Sequence, residues 1–227
     1  MRRLRPLVIW VLVALPYPAA AQAVRGGYVH RFELAGELGY FSGVEIGSAN
    51  AALRANAPTG GAFTLFKTAT SLSASFVADA RVGWWASRRI AIEGHLGYSR
   101  PAIETSVSAD AEGAAPITVV ERVNQYVIDA GILLRINEVR IGGLVPYAAG
   151  GAGYLRQLHE GLAFIDQGHA YHVGGGVTRD FVTRTRGVIR AAGLRADARV
   201  YFLSGAASLN DRTTAHGSYS AGLFIRF

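Results

Sequence analysis

The chain of 227 residues contains no cysteine and few charged side chains. The missing cysteine excludes disulfide scaffolds, thiolate metal sites, iron–sulfur clusters and cysteine nucleophiles. Charged residues make up 17% of the chain, whereas soluble domains carry about 25%. Because 50% of the residues are hydrophobic and the mean hydropathy is +0.22, a disordered chain is also excluded. The composition indicates a protein with both an apolar and a polar surface to satisfy.

The first residues have the features of a secretory signal peptide. Arg2, Arg3 and Arg5 precede an apolar run from Leu7 to Leu15, and three alanines follow at 19–21. This run is far shorter than the ~20 apolar residues of a membrane-spanning helix. We therefore predict a cleavable signal peptide over residues 1–21. Its removal lowers the formal net charge of +7 by three.

Long hydrophobic runs are also missing after the signal. The longest uncharged stretch lies between Arg140 and Arg156, and it contains Pro146 and five glycines, which disfavour a helix. An exported, apolar chain without such helices can cross a membrane only as a closed β-barrel. The remaining arginines are spread along the chain without a long basic run, so we expect no nucleic-acid partner.

Alternation of apolar and polar residues predicts β-strands with one apolar face. Between residues 32 and 40, for example, Leu34 and Leu38 lie on one face while Glu33 and Glu37 lie on the other. Similar segments predict eight strands, at about 32–40, 75–85, 90–99, 120–136, 145–156, 169–178, 194–202 and 219–227. The faces of the two glycine-rich strands, within 145–187, stay unassigned. Residues 22–227 are thus predicted to form one all-β domain, an eight-stranded antiparallel transmembrane up-and-down β-barrel.

The predicted connections alternate in length. Long segments at about 42–74, 100–118, 157–168 and 204–214 alternate with short ones near 86–89, 137–144 and 179–187. This alternation is typical of external loops and periplasmic turns, so both termini are expected in the periplasm. Aromatic girdles are expected at both ends. The girdle residues are Trp84, Trp85 and Phe227 near the turns and Tyr40, Tyr98, Phe202 and Tyr219 near the loops.

Three further motifs occur in the second half of the chain. Pro146-Tyr147 leads into Gly150-Gly151-Ala152-Gly153-Tyr154, Gly174-Gly175-Gly176 follows, and a later strand carries Asp197. The last strand has apolar residues at every second position and an aromatic end. Together these features resemble the small outer-membrane β-barrel domain family, the outer membrane protein A-like and opacity-like group.

The resemblance implies a bacterial outer-membrane location and a set of partners. These are outer-membrane lipids and lipopolysaccharide, and, during biogenesis, the barrel assembly machinery and periplasmic chaperones. It also implies that the final strand is the assembly signal. The residues of this signal are Tyr219, Ala221, Leu223, Ile225 and Phe227.

The polar faces of the predicted strands carry charges of both signs, which should pair inside a narrow barrel. The predicted lumen network consists of Glu33, Glu37, Asp79, Arg81, Glu93, Asp129, Arg195, Asp197, Arg199 and Arg226, with His95 and Arg135 on the same faces. Such a set can form either a gated ion or proton path or a salt-bridged plug. We favour the plug, because an eight-stranded barrel is just wide enough to be filled by its own side chains.

The sequence predicts a non-enzymatic protein without cofactor or metal, which contributes to envelope structure or surface interactions through its external loops. The alternative is a narrow channel, or a lateral transporter for ions or small apolar molecules. His216 and Ser218 match the His-x-Ser spacing of outer-membrane acyl hydrolases, but no acidic or Asn partner follows. His169 and His172, with His159 and Glu160 or Asp166 nearby, are candidate metal ligands. The two histidines 169 and 172 differ in strand parity and so point to opposite faces, and we therefore expect no metal site there.

Overall fold

The computed structural model describes residues 31–54, 62–159, 165–205 and 213–227. In these ranges the chain forms eleven β-strands. The strands are β1 (Phe32–Phe41), β2 (Val44–Arg54), β3 (Ala62–Leu72), β4 (Ser75–Trp85), β5 (Ile90–Ser99), β6 (Ala102–Ser108), β7 (Ile117–Arg135), β8 (Val145–His159), β9 (Ile165–Thr183), β10 (Ala191–Ser204) and β11 (Thr214–Arg226). None of the described segments forms a helix long and apolar enough to cross a membrane. The predicted signal peptide lies outside the described residues.

Eight of these strands close into an antiparallel barrel. The order around the barrel is β1, β4, β5, β7, β8, β9, β10 and β11, and β11 pairs with β1 to complete the circle. Apart from β2, β3 and β6, which lie outside the barrel, each barrel strand pairs with the next barrel strand along the chain, as in an up-and-down barrel. The predicted all-β, eight-stranded barrel is therefore confirmed.

The period-two pattern explains which face of each barrel strand is buried. On β1 and β4, Leu38 and Phe76 point outward and are 75% and 86% exposed, whereas Glu37 and Arg81 point into the lumen and are 3% exposed. A soluble barrel would place these faces the other way round. The outer surface is therefore an apolar belt, and the polar groups lie inside.

The three remaining strands correct the prediction for residues 42–74 and 100–118, which were expected to be loops. The strands β2, β3 and β6 pair with one another and with the first residues of β7. They carry the ladders of β1, β4 and β5 beyond the barrel rim, since Phe41 pairs with Ser75 in the barrel and Val44 with Leu72 just beyond it. We call this four-stranded extension the projecting sheet, its side of the barrel the loop end, and the opposite side the turn end.

Smaller differences concern strand ends and one girdle residue. The strand β9 begins at Ile165 and continues to Thr183, so it includes parts of two predicted connections. Trp84 faces outward as expected, but Trp85 is only 5% exposed and points into the lumen. The reason is parity, because consecutive residues of a strand face opposite sides of the sheet.

Candidate functional site: the ion-paired lumen

All ten residues of the predicted network are buried, and the structure brings them together within the barrel. Their strands alternate in direction but share one inner face, so side chains from distant parts of the chain meet. The center of the network is Arg195 on β10, whose guanidinium lies 2.5 Å from Glu93, 2.7 Å from Asp197 and 3.3 Å from Glu37. Glu33 is 3.5 Å from the same guanidinium.

Two further arginines share these carboxylates. Arg199 lies 2.8 Å from Glu93 and 2.9 Å from Asp197. Arg81 lies 2.9 Å from Glu37 and 3.1 Å from Glu93. Because every carboxylate in this group contacts at least two cations, no single pair is independent of the others.

A histidine joins two of the remaining acids. Nδ1 of His95 lies 2.8 Å from Asp129, and Nε2 lies 3.0 Å from Asp79. Contacts from both ring nitrogens to carboxylate oxygens require both to carry a proton, so the geometry is that of an imidazolium. His95, which the sequence places on the same faces but outside the predicted network, thus joins that network through two carboxylates.

At the turn end, Arg226 connects the network to the rim. Its guanidinium lies 2.6 Å from Glu33 and 2.9 Å from Asp180. The side chain of Arg135 stacks on Trp85, with the guanidinium carbon 4.4 Å from the ring centroid. This stacking lets the aromatic ring cover a cation close to water.

Two apolar layers border the network. The loop-side layer consists of Phe41, Val127, Leu155, Ala170, Tyr201 and Leu203. The turn-side layer consists of Trp85, Ala91, Leu133, Tyr147 and Ala149. The network contacts both layers, since Tyr201 lies against Asp129 and His95 and the Tyr147 hydroxyl donates to Asp197.

A small cavity lies beside the network. A cavity of about 10 Å³ lies among Asp79, His95, Gln125 and the loop-side residues Phe41 and Tyr201. This is space for about one water molecule. The side chains around this cavity are thus packed closely, as in a protein core.

Several lumen residues were not identified from the sequence. Tyr147 and Tyr201 place their hydroxyls inside the network, Ser220 donates to Glu37 at 2.5 Å, and Nε2 of His172 lies 3.1 Å from Arg199. Parity indicates Tyr201 and Ser220 as inward-facing residues. Tyr147 and His172 lie on the glycine-rich strands, where the alternation that reveals a face is weak.

The structure separates the residues considered for chemistry. His169 is exposed while His172 is buried, so the two lie on opposite faces of β9. In the described ranges no cluster of three potential ligands could hold a metal ion. His216 and Ser218 both face the lumen, and the ring of His216 stacks on Phe41 and contacts the Ser42 carbonyl oxygen and the Thr214 hydroxyl.

Beyond the barrel rim at the loop end, His159 forms a second carboxylate–histidine–carboxylate group. Nδ1 lies 2.8 Å from Glu121 on β7, and Nε2 lies 3.0 Å from Asp166 on β9. Burial alone would lower the pKa of His159, but its hydrogen bonds with Asp166 and Glu121 outweigh burial and raise this pKa above the ordinary value. The group therefore links β7, β8 and β9 beyond the rim while the histidine is protonated.

We predict a pH-dependent opening of this group. A histidine whose pKa is raised in the folded state stabilises that state fully below its unfolded pKa, and this stabilisation is lost as the pH rises through the folded pKa. Histidine NMR titration should place the His159 pKa above 6.5, the ordinary value for a histidine side chain. Amide exchange at the ends of β8 and β9 should accelerate above that pKa, and His159→Gln should abolish this step. A titration at or below 6.5 would contradict the prediction.

A closed antiparallel barrel with an apolar outer belt and an ion-paired core is the architecture of a small transmembrane β-barrel. The solved structures with this fold include the surface protein NspA of Neisseria, with 12% identity and a TM-score of 0.50, covering 86% of this chain and 97% of that one. OprG of Pseudomonas aeruginosa matches with 12% identity and a TM-score of 0.47, covering 87% and 97%. Ail of Yersinia pestis matches with 14% identity and a TM-score of 0.42, covering 87% and 99%.

No protein-family model and no curated protein sequence matches this chain. At these identities the likeness describes the fold alone. The chain therefore has the fold of the small outer-membrane β-barrels, as the sequence motifs indicated.

Proposed function

We propose that this protein is a non-conducting barrel of the bacterial outer membrane, which acts in the envelope through its loop end. The observation that carries the proposal is the lumen, in which a dense ion-pair network lies between two apolar layers. A channel needs a water-filled path, whereas the cavity beside His95 has room for about one water molecule. The packing favours the structural role over the narrow channel.

The outer-membrane location follows from the surface of the barrel. Outward-facing apolar side chains recur on all eight barrel strands, and a soluble protein does not maintain such a belt in water. Outer-membrane lipids and lipopolysaccharide are the proposed surroundings of this belt. The proposed export signal, residues 1–21, would deliver the chain to the periplasm.

The final strand fits its proposed role as an assembly signal. Tyr219 and Leu223 face outward and are 60% and 64% exposed, and Ala221 and Ile225 lie on the same face. An outward apolar row on the closing strand offers a surface for the barrel assembly machinery before the strand pairs with β1. Periplasmic chaperones are proposed to hold the same row before insertion.

The proposal includes no catalytic step. His216 is held by Thr214 and the Ser42 carbonyl oxygen, so among the described residues no carboxylate orients it as a general base. Ser218 faces the lumen, away from the lipid side from which an acyl chain would arrive. These positions argue against a lipid hydrolase.

The projecting sheet is the proposed contact region. On the face that continues the barrel interior, exposed apolar residues such as Leu53, Phe63, Ile117 and Val119 extend beyond the buried cluster of Ile46, Leu72 and Val123 at its base. The opposite face carries Glu45, Ser48, Glu104 and Ser106, which line a groove of about 960 Å³. A two-faced sheet of this kind is suited to surface interactions rather than to closing a pore.

Conductance in planar bilayers tests the proposal. We expect no ohmic steps from the folded protein, because ions would have to cross both apolar layers and displace paired charges. A general porin reconstituted in the same bilayer provides the positive control. Reproducible steps that disappear when the protein is unfolded before addition would contradict the proposal and favour the channel.

A further inference from the structure

The turn end of the barrel carries a strong excess of positive charge. Residue 31 and segments 86–89, 136–144 and 179–190 contain eight arginines and two carboxylate side chains. The arginines are Arg31, Arg88, Arg89, Arg140, Arg179, Arg184, Arg186 and Arg190. The loop end differs, since segments 42–53, 62–74, 100–122, 156–159, 165–168 and 213–217 contain four basic and six acidic residues. The basic excess is therefore a property of one end and not of the whole surface.

The two carboxylates at the turn end are already paired. Glu138 contacts Arg89, and Asp180 contacts Arg226 of the lumen network. In the described part of the chain, Arg140, Arg184 and Arg186 have no carboxylate within ion-pair distance. Unpaired cations of this number are expected to attract an anionic partner.

Exposed apolar side chains lie among these arginines. Val188 is 78% exposed, Ile141 is 70% exposed and Phe181 is 58% exposed, with the Arg179 guanidinium carbon 5.9 Å from the Phe181 ring centroid. The two segments that carry them are adjacent, because Val145, which follows the first segment, pairs with Thr178, which precedes the second. Together they form one surface, the basic turn surface, made of residues 136–144 and 179–190.

We propose that the basic turn surface binds the headgroups of anionic phospholipids in the leaflet that borders the turn end. Basic residues next to exposed aromatic and aliphatic side chains are the combination found in interfacial membrane anchors, where the apolar groups enter the headgroup region and the cations bind phosphates. A soluble acidic polymer would use the arginines but would leave Phe181, Ile141 and Val188 in water. The proposal rests on the proposed membrane insertion, because only an inserted barrel presents this surface to a leaflet.

Native mass spectrometry of the folded protein released from detergent tests the lipid preference. The probes are cardiolipin, phosphatidylglycerol and phosphatidylcholine. We expect wild type to retain the two anionic lipids and to lose phosphatidylcholine. The triple variant Arg140→Gln, Arg184→Gln, Arg186→Gln should retain anionic lipid about tenfold less, since each removed cation weakens headgroup attraction.

A matched control removes the same charge from the other end. The triple variant Arg100→Gln, Arg122→Gln, Arg156→Gln changes three exposed arginines at the loop end and should retain cardiolipin within about twofold of wild type. Equal losses in both triple variants would overturn the proposal, because net charge and not this surface would then set retention. Equal retention of cardiolipin and phosphatidylcholine by wild type would also overturn it.

A second comparison separates a lipid from an acidic polymer. Phe181→Ser with Val188→Ser should lower retention of cardiolipin and leave binding of poly-glutamate unchanged, since the polymer has no apolar phase for these side chains. Unchanged cardiolipin retention in this variant would overturn the lipid assignment and favour an acidic polymer. A different result would overturn the proposed membrane insertion itself. In that case the wild-type protein would not insert into phosphatidylcholine vesicles as a barrel with heat-dependent gel mobility.

Discussion

Replacing Arg195 with methionine should lower the free energy of unfolding by about 3–5 kcal/mol, the range for breaking a buried ion pair from one side. Its guanidinium contacts Glu93, Asp197 and Glu37 at 3.3 Å or less and is 1% exposed. Methionine fills similar space but leaves several carboxylates in the lumen with too few cations. Urea unfolding of the protein in lipid vesicles, followed by tryptophan fluorescence, measures the change.

Two further variants determine whether the loss comes from uncompensated charge. Arg89→Met removes an exposed pair with Glu138, whose side chains are 62% and 57% exposed, and should change stability by less than about 1 kcal/mol. Adding Glu93→Gln to Arg195→Met should restore part of the loss, because the lumen then holds one negative charge fewer against its reduced number of cations. A loss below about 1 kcal/mol for Arg195→Met would mean that water reaches the network.

Strand parity predicted which residues face the lumen but not which residues meet there. Alternation alone places Arg195, Asp197 and Arg199 on one face of β10. The contact between Arg195 and Glu93 spans 102 positions and depends on the stagger of the strands around the barrel. A single sequence gives the direction of each side chain, whereas the pairing partners follow from a register that only the closed barrel fixes.

The projecting sheet could not be predicted because its alternation is interrupted. In the β2–β3 pair the register shifts between Glu45 and Gly47 and again between Ala51 and Ala52. Each bulge moves the following side chains to the other face, so a period-two pattern breaks within a few residues. Pro101 lies between β5 and β6 and also interrupts the pattern, because proline has no backbone N–H to donate to a neighbouring strand.

The inward and outward faces of the glycine-rich strands could not be assigned from the sequence for a different reason. Gly151 and Gly153 on β8 lie on the lumen face, where an added Cβ would meet the backbone of β7. Glycine has no side chain to mark a face as apolar or polar, so these positions carry no alternation signal. The same property lets neighbouring strands approach closely around a narrow lumen.

A pair of neighbouring glycines offers a direct test of this close approach. On β11 a Cβ at Gly222 would collide with the Gly36 carbonyl oxygen and the Cα of Glu37, both backbone atoms that cannot move aside. On β1 a Cβ at Gly36 would have no heavy atom within 4 Å, because this position faces outward. Gly222→Ala should therefore disrupt the β1–β11 closure, whereas Gly36→Ala should fold like wild type.

The measurement is the fraction of protein that refolds into a form with heat-dependent gel mobility. We expect Gly222→Ala to lose most of this form, since separating β1 from β11 opens the barrel and leaves backbone groups unpaired in lipid. Gly36→Ala makes the same change in size and propensity on the neighbouring strand, at a position that faces outward. Equal refolding of the two variants would mean that the closing strands can separate enough to admit a methyl group, and that close contact at Gly222 is not what closes the barrel.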